Sequence, residues 1–147
     1  MKKLILSILL LLTPIAHAAE PASALRSVRV TADVAANNST ATSLDLVFVY
    51  DKTAIATLPK SGAEWFEKKA ALLGGLGRQI DVVSLQVPPG VVIEQVALPA
   101  QARRAVAVLC FVNFIDPAGQ AVANLTRYRH AEIHLFESRV AYKDLPH

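Results

Sequence analysis

Residues 105–115 read Ala-Val-Ala-Val-Leu-Cys-Phe-Val-Asn-Phe-Ile, and this stretch decides the fold. It is apolar at both alternating sets of positions, rich in β-branched and aromatic residues, and free of glycine and proline. Two arginines precede it, and the turn Asp116-Pro117-Ala118-Gly119 follows it. Periodicity alone does not exclude a buried helical segment, but the β-branched content and the sharp turn favour a strand. We therefore predict a central strand that is covered on both faces.

Alternating or continuous apolar stretches on both sides of this strand predict the rest of the fold. The Pro88-Pro89-Gly90 turn predicts a tight reversal, so that residues 80–87 and 91–98 form a hairpin. Short strands separated by turns, with one inserted helix, predict a mainly β, two-sheet, immunoglobulin-like β-sandwich. The remaining strand candidates are residues 25–34, 44–50, 122–128, 131–137 and 140–142.

Residues 61–73 are the one segment with a clear helical pattern. Ser61 is suited to the N-cap position, and Glu64 follows at the spacing of a capping box. Gly74-Gly75 predicts the C-terminal stop. The simplest interpretation is a helix that covers one face or one end of the sheets, and the alternative is that an exposed Trp65 anchors a partner. The apolar residues at helical spacing are Trp65, Phe66, Ala70, Leu72 and Leu73.

The first residues are organised like an export signal. Two lysines precede the apolar run Leu4–Leu12, and residues 13–18 end in a small-x-small cleavage site. The run is much shorter than the roughly 20 residues of a membrane span. We therefore predict a signal peptide over 1–18, a tether over 19–24 and one domain over 25–143. The expected location is the periplasm, with no transmembrane segment after cleavage, and a retained signal anchor is the alternative.

The cysteine content limits what the exported chain can do. Cys110 is the only cysteine, which excludes an intramolecular disulfide. Because it lies in the most apolar stretch, we predict that it packs in the core and takes no part in chemistry. The residue after the predicted cleavage site is Ala19 rather than a cysteine, so we predict that the mature protein carries no lipid anchor.

The charge of the chain gives no indication of a nucleic-acid partner. Removal of the two leader lysines lowers the basic residues from 15 to 13 against 12 acidic ones, a formal charge of about +1. No basic run is longer than Arg103-Arg104. We therefore predict that the protein does not bind nucleic acid.

His130-Ala131-Glu132-Ile133-His134 is the one constellation that could bind a metal or a small ligand. On a strand, the two histidines and the glutamate share a face. The histidines are then roughly 13 Å apart, which is too far for joint coordination of zinc through bonds of about 2 Å. A metal site would need a donor from another strand, so a solvated strand face is the simpler interpretation. A periplasmic small-ligand or metal-binding module stays as the alternative function.

No motif for catalysis or cofactor binding is present. Gly74-Gly75-Leu76-Gly77 lacks the spacing of a phosphate loop and follows a helix instead of preceding one. The sequence also lacks a nucleophile elbow, and its carboxylates are scattered. We therefore predict a protein that is not an enzyme and has no cofactor and no metal site.

Several short motifs follow one another in an order that resembles a known family. Asn37-Asn38 lies in a loop, a strand then ends at Tyr50, a helical insertion follows, and Pro89-Gly90 precedes a hydrophobic strand that ends at Phe114. This order resembles the TssJ (VasD-like) proteins of the bacterial type VI secretion system. The resemblance implies a transthyretin-like β-sandwich with an added helix and a structural role in the envelope.

The resemblance also implies a partner and a contact surface. TssJ proteins are lipoproteins that bind the periplasmic domain of TssM through the loop after the first strand. The equivalent loop here is residues 35–42, which makes Asn37, Asn38, Ser39 and Thr40 the candidate contacts. Ala19 departs from the family, in which this position is an acylated cysteine. The expected partner is an envelope protein with a TssM-like periplasmic domain.

Overall fold

The computed structural model describes residues 22–146, in which two four-stranded sheets pack face to face and one long helix covers the outer side of the second sheet. The strands are β1 (Ser27–Ala32), β2 (Thr42–Val49), β3 (Ile80–Val87), β4 (Val92–Ile93), β5 (Ala107–Asn113), β6 (Ala123–Asn124), β7 (His130–Leu135) and β8 (Val140–Asp144). The helices are α1 (Lys52–Ile55) and α2 (Gly62–Leu76), and short 3-10 turns lie at Gly77–Gln79, Ala102–Arg104 and Pro117–Gly119. The predicted signal peptide lies outside the described residues.

The two sheets differ in their strand directions. The first sheet has the order β4-β1-β7-β8, and its central pair, β1 and β7, runs parallel. The second sheet has the order β3-β2-β5-β6 and is antiparallel throughout. The core between the sheets is formed by inward-facing aliphatic and aromatic side chains. The mainly β sandwich with one main helix is therefore confirmed.

The predicted central strand is confirmed as β5, which is shorter at both ends than residues 105–115. Val108, Cys110 and Val112 face the core between the sheets, while Ala107 and Phe111 face the layer under α2. Burial raises the pKa of the Cys110 thiol to about 12, so the thiol stays protonated and unreactive at neutral pH. The predicted core role of this cysteine is confirmed.

Helix α2 begins as predicted and ends later. The Oγ of Ser61 accepts a 3.2 Å hydrogen bond from the backbone N–H of Glu64, which confirms the cap. The helix continues through Gly74-Gly75 to Leu76 and is capped by Gly77, which has a φ of 49° and donates its N–H to the carbonyl of Leu73. The predicted stop is wrong because glycine inside a helix costs only about 1 kcal/mol, which the rest of the helix tolerates.

Trp65 is the apolar contact that matters most on α2. Its side chain is fully buried and stacks on Phe111 with ring centroids 4.7 Å apart. The alternative of an exposed Trp65 that anchors a partner is therefore wrong. The predicted stripe is narrower than expected, because Ala70 is exposed and Leu73 is 40% exposed.

The predicted hairpin over residues 80–98 is wrong. After β3 the chain leaves its sheet at Pro88-Pro89-Gly90, and β4 pairs with β1 of the opposite sheet, with Ile93 opposite Val30. Gly90 has a φ of 75°, and its N–H donates to the carbonyl of Asp33. The turn therefore carries the chain from one sheet to the other.

The other predicted elements differ from the structure mainly at their ends. Residues 122–128 contain only the two-residue strand β6, and Val34 lies beyond the end of β1. Residues 22–24 of the predicted tether lie against the domain, because Ser23 and Ala24 donate backbone hydrogen bonds to Ala105 and Thr126. In the described part of the chain, no helix is long and apolar enough to cross a membrane.

Candidate interaction site at one end of the sandwich

The loop that joins β1 to β2 contains a tight turn with left-handed backbone. Asn37, Asn38 and Ser39 have φ values of 47°, 56° and 60°. Asparagine adopts this conformation more readily than most residues, whereas serine does so at a cost of roughly 1–2 kcal/mol. Three such residues in a row persist only when neighbouring segments hold them in place.

Asn37 supplies most of this support. Its Oδ1 accepts a 2.8 Å hydrogen bond from the N–H of Ile115, and its Nδ2 donates to the carbonyl of Asn113. Its own N–H donates to the carbonyl of Phe136. The side chain of Asn37 therefore ties the β1–β2 loop to the end of β5, and its backbone N–H ties the loop to the end of β7.

These contacts divide the four predicted contact residues into two groups. Asn37 is only 2% exposed, so it supports the turn from inside and is not available to a partner. Asn38, Ser39 and Thr40 are exposed. The position of Asn38 is also fixed by a backbone hydrogen bond, since its N–H donates to the carbonyl of Glu137.

Two large apolar side chains are exposed at the same end of the sandwich. Val34 is 82% exposed at the start of the loop, and Ile115 is 59% exposed just after β5. We call this region the loop-end surface, and it comprises Val34, Asn38, Ser39, Thr40, Ile115, Asp116, Glu137 and Ser138.

A cleft of about 370 Å³ lies within the loop-end surface, between the left-handed turn and the loops that follow β5 and β7. Its β5 side is fixed locally, because Oδ1 of Asp116 accepts the N–H of Ala118 and Nε2 of Gln120 donates to the carbonyl of Phe114. The volume of the cleft is large enough to accept a side chain of a partner. The residues that line it are Asn38, Ile115, Asp116, Glu137 and Ser138.

The two histidines and the glutamate of β7 share the outer face of their sheet, as predicted, but each contacts a different residue. Nδ1 of His130 lies 2.8 Å from Oγ of Ser27, and Nε2 of His134 lies 2.7 Å from Oδ1 of Asp33. Glu132 approaches Arg29 at 4.0 Å. Among residues 22–146, no three histidine, cysteine, aspartate or glutamate side chains are grouped closely enough to hold a metal ion.

Comparison with known proteins gives matches to solved structures only. No protein-family model matches the chain, and no curated protein sequence matches it. The crystal structure of the type VI secretion lipoprotein TssJ1 from Pseudomonas aeruginosa superposes with a TM-score of 0.61 at 14% identity, over 86% of this chain and 98% of that chain. The Serratia marcescens protein Lip, a membrane-bound component of the type VI secretion system, matches with a TM-score of 0.61 at 11% identity, over 86% and 99%.

The chain has a TssJ-like fold. A third match is to the structure of the type VI secretion protein TssM C-terminal domain (869–1107) from EAEC, with a TM-score of 0.56 at 14% identity over 80% of this chain and 98% of that chain. The names of these structures describe components of a secretion apparatus, and none of them describes an enzyme.

Sequence reasoning missed part of the loop-end surface on this TssJ-like fold. Val34 continues the alternation of β1, so its pattern predicted an inward side chain, and Ile115 was included in the central strand. Val34 lies just beyond the end of β1 and Ile115 just beyond the end of β5, because each strand ends before the apolar pattern of its sequence does. Nothing in the sequence indicated that Glu137 and Ser138 belong to the loop-end surface, because only the fold brings the end of β7 and the β1–β2 loop together.

Proposed function

We propose that this protein is a periplasmic, non-enzymatic component of a type VI secretion membrane complex, and that it binds an envelope protein through the loop-end surface. The TssJ-like fold supports the secretion system as the setting. The partner that fits this setting best is a TssM-like periplasmic domain. The predicted signal peptide supports export, and Ala19 in place of a cysteine supports a protein without its own lipid anchor.

The observation that carries the proposal is the left-handed turn and the way it is held. Asn37 fixes the turn through backbone groups of Ile115, Asn113 and Phe136. A loop that is already ordered avoids the entropy cost of ordering on binding, which makes it suitable for recognition. The strain of three consecutive left-handed residues is also typical of functional loops.

The side chains beside the turn supply the rest of an interface. Val34 and Ile115 are among the most exposed large apolar residues in the described part of the chain. Exposed apolar side chains with a polar rim are typical of protein-binding surfaces. Asn38, Ser39 and Thr40 provide the polar groups that would orient the partner.

A matched pair of substitutions tests the proposal. The periplasmic domain of the TssM-like protein from the same organism would be titrated against the wild type, Ile115→Asp and Ile55→Asp. Ile115 belongs to the loop-end surface, whereas Ile55 is 38% exposed on α1, outside it. We expect Ile115→Asp to weaken binding about tenfold or more, as for a buried interface anchor, and Ile55→Asp to bind like the wild type. Equal affinities of the two variants, or no binding by the wild type, would overturn the proposal.

A further inference from the structure

The outer side of β3 is a free sheet edge in the described part of the chain. β3 is eight residues long and pairs with β2 in one unbroken register from Val49 opposite Ile80 to Thr42 opposite Val87. It is the terminal strand of its sheet, and within residues 22–146 no strand pairs with its other side.

The hydrogen-bond pattern shows which residues face this free edge. The N–H of Tyr50 donates to the carbonyl of Gln79, so these two residues form a hydrogen-bonded pair of the antiparallel ladder. Such pairs alternate along a strand, so Asp81, Val83 and Leu85 direct their backbone groups to β2. The residues that direct theirs outward are Val82, Ser84 and Gln86.

The residues of β3 itself lack the features that usually protect an edge strand, and the lysine beside it is Lys69 of α2, which contacts Ser84. β3 contains no proline, lysine or bulge. Its one charged residue, Asp81, accepts a 2.7 Å hydrogen bond from the hydroxyl of Tyr50. The other edges of the described sheets are shorter, since β4 and β6 have two residues each and β8 has five, with Lys143 and Asp144 exposed on it.

We propose that β3 pairs antiparallel with β3 of a second copy of this chain, about a twofold axis at Ser84. Outward backbone groups then meet in register, with Ser84 opposite its copy and Val82 opposite Gln86 of the second copy. Side chains on the same face also match, because Val83 lies opposite Leu85 of the second copy. Asp81 and its copy are about 20 Å apart, so they do not repel each other. The Lys69 ammonium, which contacts Ser84 beside the axis, is paired with Asp45 in each copy.

The pairing joins the two antiparallel sheets into one continuous sheet and leaves both loop-end surfaces accessible, directed away from each other. A single strand pair buries less than the roughly 1,200 Å² of a standard interface. The dimer is therefore expected to be weak and dependent on concentration. It rests on β3 alone and does not depend on the proposed partner.

Sedimentation analysis of the purified protein over a range of concentrations tests the proposal with two substitutions at one position. Ser84→Pro removes the outward N–H without touching the ladder with β2, which is where an edge strand tolerates proline. Ser84→Ala also loses the 2.9 Å contact between Ser84 and Lys69 but keeps the N–H. We expect Ser84→Pro to weaken dimerisation at least about tenfold and Ser84→Ala to dimerise like the wild type.

A crosslinking experiment tests the register even if Ser84→Pro impairs folding. Ser84→Cys places two thiols directly opposite each other across the axis, within the Cα distance that a disulfide allows. Gln86→Cys places its thiols about 13 Å apart. Oxidation should crosslink only the first variant, and the native Cys110 is buried and does not interfere. A wild type that stays monomeric at concentrations approaching millimolar, a dimer unaffected by Ser84→Pro, or equal crosslinking of both variants would overturn the proposal.

Discussion

The indole N–H of Trp65 donates a 2.7 Å hydrogen bond to Oδ2 of Asp45, a carboxylate that is only 1% exposed in the middle of β2. Nζ of Lys69, one turn further along α2, lies 2.8 Å from the same oxygen. The helix is therefore fixed to the sheet by a polar contact inside an apolar layer. Because an unpaired buried charge is costly, this contact specifies where α2 lies on the sheet.

Truncation of Trp65 should destabilise the domain far more than truncation of an exposed apolar residue on the same helix. We expect Trp65→Ala to lower the free energy of unfolding by about 3–5 kcal/mol, since it removes the stack on Phe111 and leaves Asp45 with one donor fewer. Leu73→Ala, at a residue 40% exposed, should stay within about 0.5 kcal/mol. Urea denaturation measures both, and similar losses for the two variants would contradict the packing of α2.

Asn37 should contribute to stability through two separable effects. Asn37→Ala removes the hydrogen bond to Ile115 and also places a less tolerant residue at a φ of 47°. We expect a loss of about 2 kcal/mol in the free energy of unfolding, of which roughly half is the backbone conformation. Asn37→Gly should recover that half, and the exposed Thr40→Ala should change little. If alanine and glycine have equal effects in urea denaturation, the left-handed conformation contributes nothing to the cost.

The glycines at the two ends of α2 should respond in opposite directions. A Cβ at Gly75 meets nothing within 4 Å, so Gly75→Ala should raise the free energy of unfolding by about 0.5–1 kcal/mol through helix propensity. A Cβ at Gly62 collides with the backbone oxygen of Val112, so Gly62→Ala should lower it by at least about 2 kcal/mol. Thermal unfolding measures both changes, and a destabilised Gly75→Ala would show that the helix ends before residue 75.

Stability above pH 10 should depend on Tyr142. Burial, followed by the nearby Cys110, raises the pKa of the Tyr142 phenol well above its usual value of 10.0. The unfolded chain therefore loses the phenolic proton first, and the associated stability is complete below pH 10 and decreases as the pH rises above it. Tyr142→Phe should change the free energy of unfolding by no more than about 1 kcal/mol at pH 7 and should flatten its decrease above pH 10. If the free energy of unfolding decreases equally steeply above pH 10 for the wild type and Tyr142→Phe, this assignment is contradicted.

The elements that local patterns predicted are strands in which the burial of each side chain follows from the face of the sheet on which it lies. β2 has apolar residues at both alternating sets of positions because its inner face meets the core and its outer face meets the layer under α2. β3 alternates because one of its faces is only partly covered. In such cases the sequence pattern and the burial pattern have the same physical cause.

The elements that could not be predicted depend on contacts between distant parts of the chain. The sequence Pro88-Pro89-Gly90 is compatible with a next strand that returns to the same sheet and with one that crosses to the other. Only the pairing of β4 with β1 shows which of the two occurs. Likewise, Asn37 is a loop asparagine by composition, and its burial depends on Ile115, which is 78 residues away. Such positions carry no local periodicity.

The parallel pairing of β1 with β7 also has a consequence for the order of folding. Ser27 lies opposite His130 and Ala32 opposite Leu135, so the first strand of the fold needs a neighbour from near the end of the chain. A chain that emerges with its N-terminus first can complete the antiparallel sheet while β1 still lacks this neighbour. Pairings between such distant segments form slowly because a long loop must close first. The first sheet should therefore form last, and chains truncated before residue 130 would expose β1 to aggregation.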